Sequence, residues 1–279
     1  MPLRYLKVGI GLPKSNFMRA SANIILFLII GVWATSCSPV LYSPVGQNDP
    51  LFKQKGESLV SAGIATSDTE MLTLFGESNY AEGPFIQAAA AVDSNLAIIS
   101  SYYFMQDKEA IDAEIKGHGS HFEIGVGKFW PIKKSKWIGE VFVGTAIASI
   151  KNKVNGDAFE VKYSKPFIQP SIGYRENVFE FAVTSKIGIV NYFNFNNQLT
   201  DQDQFDAAES FESRNKITLV FEPGFTWRIG WKNIKFQAQT CATTFSYSGW
   251  EGYEAVNQVY VGVGVLFRVP AKNKNYKGN

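Results

Sequence analysis

The two histidines of this 279-residue chain stand close together, at His118 and His121, with Ser120 between them. Two imidazoles three apart could share a metal ion, and a hydroxyl beside an imidazole is the raw material of a nucleophile and its base. Neither set is complete. No cysteine or carboxylate falls at ligand spacing, and a nucleophile–base pair is recognised by geometry rather than adjacency. Asp201, Asp203 and Asp206 have the D-x-D spacing of a calcium loop, with Glu209 and Glu212 following. The glycine and closing glutamate of such a loop are missing, so these carboxylates read first as a solvated loop and only second as a divalent-cation site. The G-V-G runs at 125–127 and 262–264 lack the helix that a phosphate loop needs after it. No cofactor is implied.

Composition narrows the setting in which any of these groups could act. The chain is 19% charged, 46% hydrophobic and 14% aromatic, which is too greasy for disorder. A net charge of +2 gives no reason to expect a nucleic-acid partner, and two cysteines cannot build a disulfide framework. Residues 1–36 hold Arg4, Lys7, Lys14 and Arg19 and no acid, so the rest of the chain is slightly negative. The run 24–33 is apolar apart from Gly31. It is too short to span a bilayer as a helix, which needs about 20 residues. A basic flank, a short apolar core and small residues after it make an export signal over 1–36, for which Met18 is an alternative start to Met1.

Ala34-Thr35-Ser36-Cys37 resembles the lipobox of bacterial lipoproteins, a resemblance that implies a lipidated Cys37 as the mature N-terminus. Alanine stands at position 34 where that family usually has leucine, so ordinary signal-peptidase cleavage remains open. Residues 37–56, with Pro39, Pro44, Gly46 and Pro50, read as an extended periplasmic linker.

From there to residue 269 the pattern alternates. Ile217, Leu219, Phe221, Phe225, Trp227 and Ile229 share one face, while Thr218, Glu222, Thr226 and Arg228 share the other. The segments 178–190, 234–247 and 256–269 behave alike. Ten strands are expected, at 57–67, 84–92, 95–105, 119–130, 137–149, 165–175, 178–190, 215–229, 234–247 and 256–269. Most exceed the five or six residues usual for soluble strands and suit a tilted crossing of a bilayer. Short connections (93–94, 131–136, 176–177, 230–233) alternate with long ones (68–83, 106–118, 150–164, 191–214, 248–255). Trp130, Trp137, Trp227 and Trp231 all gather beside short turns, while Tyr102, Phe104, Tyr192, Phe193, Phe245 and Tyr247 lie at the long-loop ends as a second girdle.

Strand length, sorted connections and sorted tryptophans together resemble the outer-membrane β-barrel proteins of Gram-negative bacteria, in the variety with a lipoprotein-type signal. The fold expected is an all-β, transmembrane, antiparallel up-and-down barrel over 57–269, with a polar tail at 270–279. Outer-membrane lipid is then its partner and the outer membrane its place in the cell. With the apolar face toward lipid, the lumen collects Glu123, Glu140, Arg175, Glu180, Lys186, Glu222, Arg228, Lys235 and Arg268. About ten strands is near the size at which side chains fill a barrel, so a plugged lumen and a structural, adhesive or surface-interaction role follow. The alternatives are a membrane hydrolase at the rim, built around His118, Ser120 and His121, and a narrow small-solute transporter.

Overall fold

The computed structural model describes residues 42–68, 80–107, 115–132, 135–154, 157–198, 200, 209, 217–246 and 259–271. Their strands are β1 (Ser58–Asp68), β2 (Tyr80–Ala91), β3 (Leu96–Asp107), β4 (Ile115–Pro131), β5 (Trp137–Val154), β6 (Asp157–Arg175), β7 (Phe179–Asn197), β8 (Ile217–Gly230), β9 (Ile234–Ala242), β10 (Thr244–Ser246) and β11 (Val259–Val269). Consecutive strands pair antiparallel. β9 and β10 continue one stave across Thr243, both laddering onto β8. β11 lies between β9 and β1, with Val60 opposite Phe267 and Ser67 opposite Tyr260. That seam closes a ten-strand barrel with no free edge.

Alternation decides which way each side chain points. Along β8 every even residue from Thr218 to Arg228 faces inward, while the odd residues face out. The outer surface is a belt of exposed apolar groups, among them Ile124, Val143, Ile168, Ile187, Leu219, Phe225 and Val263. A closed barrel satisfies its backbone within itself, so such a belt can face hydrocarbon. Trp130, Trp137, Trp227 and Trp231 are all exposed beside the short turns. At the opposite end Tyr102 and Phe193 face outward as expected, but Tyr192 is buried inside and Phe245 packs inward on Tyr42. Neighbours such as Tyr192 and Phe193 cannot share a face of one strand. Tyr247 lies outside the described residues.

Short connections at 92–95, 132–136, 176–178 and 231–233 gather at one end of the barrel. The other end carries 69–79, 108–114, 198–216 and 247–258, and one departure from expectation. Residues 150–164 are not a long loop. β5 and β6 pair without interruption up to Val154 opposite Asp157. The alternation persists there but its sense reverses: Ile150, Phe159, Val161 and Tyr163 are buried inside. On the outside, Glu160 is bridged by Lys151 at 3.4 Å and Lys162 at 3.1 Å. Beyond the lipid belt the outer face meets water, so the charges belong outside and the grease within.

Candidate functional site

The lumen is where the inward side chains converge, and it also contains a piece of main chain. Residues 42–52, expected to be part of an extended linker, are buried inside the barrel instead. Apart from an isolated bridge at Tyr42 this strap has no regular secondary structure. Prolines at 44 and 50 unsuit it for a ladder, so its polar backbone must find other partners. The barrel wall provides them. Six consecutive carbonyls each accept a hydrogen bond from a lumen side chain. Gly46 takes Gln87 at 2.8 Å, and Gln47 takes Gln239 at 2.5 Å. Asn48 takes Gln169 at 3.0 Å, and Asp49 takes Arg228 at 2.7 Å. Pro50 takes Arg268 at 2.9 Å, and Leu51 takes Arg175 at 2.8 Å. At the foot of the strap the Phe52 amide donates to Glu140 at 3.2 Å. At its head the Ser43 hydroxyl donates to Ser67 at 2.9 Å.

Strap side chains complete the fit. The Asn48 amide donates to the Ala88 and Ser100 carbonyls, each at 3.0 Å. The Asp49 carboxylate accepts from Thr226 at 2.9 Å and Thr184 at 2.5 Å. Leu51, fully buried, holds φ at 52°, a left-handed backbone that a leucine tolerates only where its surroundings over-determine it. Those surroundings include Gly173, where a Cβ would come within 2.4 Å of the Leu51 side chain.

The ionic groups form two clusters. Toward the long-loop end, Glu222 accepts from the Tyr42 hydroxyl at 2.7 Å and Lys165 at 2.9 Å. Lys165 also lies 3.3 Å from Glu123, which pairs with Lys186 at 2.7 Å and His121 at 3.1 Å. Toward the short-turn end, Glu180 is shared by Arg268 at 3.0 Å, Arg228 at 3.3 Å and Arg175 at 3.6 Å. Arg175 continues to Glu57 at 2.6 Å. Glu140 and Lys235 stand outside both clusters: Glu140 holds the strap amide, and Lys235 caps the Asn177 carbonyl. A buried charge is tolerated when it is paired and hydrogen-bonded, and the two clusters meet that demand; Glu140 has hydrogen bonds from Phe52 and Ser171 but no ion-pair partner among the described residues.

The expected lumen residues point into the barrel, where they are joined by others outside that expected set, among them Tyr42, Asp49, Glu57, Gln87, His121 and Lys165. Lys165 stands at the margin of an expected loop, and Tyr42 and Asp49 in an expected linker. The histidine constellation is not assembled. His118 is exposed on the outer face and His121 is buried inside, with Ser120 on the side of His118, so the pleat of β4 separates them. Asp201, Asp203, Asp206 and Cys37 lie outside the described residues. Among the described residues no group of three or more His, Cys, Asp or Glu side chains is placed to hold a metal ion. A groove of about 940 Å³ lies on the outer wall, lined by Ile64, Pro84, Phe104, Val261 and Val263 within the apolar belt.

No protein-family profile and no curated protein matches the chain. The solved structures similar to it in outline include two outer-membrane proteins. Ail, the attachment invasion locus protein of Yersinia pestis, is 13% identical with a TM-score of 0.35, covering 77% of this chain and all of its own. The outer membrane protein OprG from Pseudomonas aeruginosa is 12% identical with a TM-score of 0.30, covering 80% of this chain and all of its own. The location follows from the barrel itself. A closed antiparallel barrel with an apolar belt, interfacial tryptophans and a charged interior is built for a bilayer, and the chain is a β-barrel of the bacterial outer membrane.

Proposed function

We propose that the chain is an outer-membrane lipoprotein, acylated at Cys37 once the signal at 1–36 is removed. In this reading its lumen is closed to solutes by the strap, and its role is non-catalytic. It anchors a scaffold that presents the long connections and the β5–β6 hairpin at the cell surface for adhesion or contact with surface partners. The observation that carries this reading is the run of six strap carbonyls, each held by a different lumen side chain. A wall that spends its arginines and glutamines on a main chain has few left to line a path for solute. The outward charges above the belt suit a hairpin standing in water.

Planar-bilayer recordings test it. The intact protein is expected to show no channel steps, and a variant lacking residues 42–52 to show conductance. Stable steps from the intact protein would instead favour a narrow transporter. Mass analysis of Cys37 in the purified protein tests the lipid: a free thiol there removes the lipoprotein part of the proposal.

A further inference from the structure

The strap has a direction, and that direction decides which face of the membrane receives the end of the chain. Its head is at the long-loop end: Ser43 bonds Ser67, one residue short of the end of β1, and Tyr42 packs on Tyr163 at 5.3 Å and on Phe245 near the tip of β10. Its foot is at the short-turn end. There Phe52 bonds Glu140 and Leu51 bonds Arg175, close to the start of β5 and the end of β6. Residues 53–57 then turn back into β1, with Gly56 at φ 84° and its amide donating to the Ala91 carbonyl. The chain thus descends the lumen before it climbs as the first stave.

Depth can be read on β6. Outside, it is charged at Glu160 and Lys162 and apolar at Ile168 and Ile172, and Tyr42 contacts Tyr163 and Lys165 between them. Tyr42 therefore sits near the lipid–water boundary of the long-loop side. Cys37 is five residues upstream. Five extended residues span at most about 18 Å, whereas the hydrocarbon core is about 30 Å thick. That length is enough to leave the mouth and too short to return to the opposite leaflet.

We infer that the mature N-terminus emerges on the same face as the long connections, and that its acyl group seats in the outer leaflet, the lipid surface of that face. The acyl part rests on the reading of Cys37 given above; the threading direction does not. A chain end delivered from the short-turn side would have its head among the tryptophans, where the structure has the foot.

Labelling with a membrane-impermeant maleimide, at cysteines introduced one at a time and read by peptide mapping so that any signal from Cys37 is kept apart, tests this in cells carrying the full-length protein. Val40→Cys reports the chain end, Asp206→Cys the long connections and Lys232→Cys a short turn. Cys241 is buried and serves as an internal blank. Val40→Cys and Asp206→Cys are expected to label as fully on intact cells as on permeabilised ones, with Lys232→Cys labelling only after permeabilisation. If Val40→Cys follows Lys232→Cys and parts from Asp206→Cys, the inference is overturned. Heat-shifted gel mobility verifies that each variant has folded, and Ser38→Cys replaces Val40→Cys should the latter not mature. Mass analysis of Cys37 reports the acyl group separately. A free thiol with Val40 on the long-loop face ends the outer-leaflet anchor and keeps the threading, whereas acylation with Val40 on the other face keeps the lipoprotein and ends both the threading and the outer-leaflet seat.

Discussion

Glu180 has one carboxylate and three guanidinium neighbours, all of which also hold strap carbonyls, at Asp49, Pro50 and Leu51. Removing it strands buried cations, a loss that typically costs about 3–5 kcal/mol, whereas the pair itself adds less than that when intact. Glu180→Ala is therefore expected to lower the temperature of the heat-dependent gel shift clearly, and Glu180→Gln, which keeps an acceptor, to lower it less; equal midpoints for both variants and the parent would remove the electrostatic account. The exposed pair Lys55–Asp93 is the natural control. The Ser94 amide and the Lys55 ammonium hold the Asp93 carboxyl below its usual range, so whatever stability it lends is present above the ordinary aspartate pKa and fades as pH falls through the lowered one. Water screens that pair, and Lys55→Ala should leave the midpoint where it was.

At the scale of elements, strap and barrel are made for each other at a few contacts that can be tested. Gly173→Ala would place a methyl against the Leu51 side chain and 2.8 Å from the Phe181 carbonyl. Overpacking of this kind costs about 1–3 kcal/mol. Leu51→Ala made alongside should recover part of the loss, leaving the share due to Phe181, and a thermal double-mutant cycle measures the coupling. The strap was hidden in the sequence because two of its features, prolines and polar residues such as Gln47, Asn48 and Asp49, are those of a solvated linker. The lumen is itself polar, so the same residues fit inside it. A signal was nevertheless available: the inner face carries Arg175, Lys186, Arg228, Lys235 and Arg268 against four glutamates, an excess of donors that asks for carbonyls from elsewhere. The β5–β6 hairpin was hidden for a different reason. Reading an apolar outer face as the mark of a strand ends the strand where lipid ends, although Ile150, Lys151, Val161 and Lys162 go on alternating with the opposite sense.

For the molecule as a whole, alternation and sorted turns were enough to find every stave, because a membrane barrel writes its topology at period two. The histidine pair and the lumen network show the limit of that legibility. The pleat sends His118 and His121 to opposite faces, and which inward charges meet depends on stagger between strands far apart in sequence. Strap bonds reach β1, β2, β3, β5, β6, β7, β8, β9 and β11, which ties most of the circumference to one central segment. Loss of protease protection at the strap and opening of the barrel should then occur at one temperature; two separate transitions would show the strap to be an independent lodger. A further consequence concerns assembly. Once β1 has zipped to β11, the polypeptide is a ring closed around its own thread, with the ring continuous with one end of that thread. If the other end bears a bulky group, the thread cannot be drawn in after closure, so it must be laid down first, and the wall must wrap it as a cooper sets staves about a standing post.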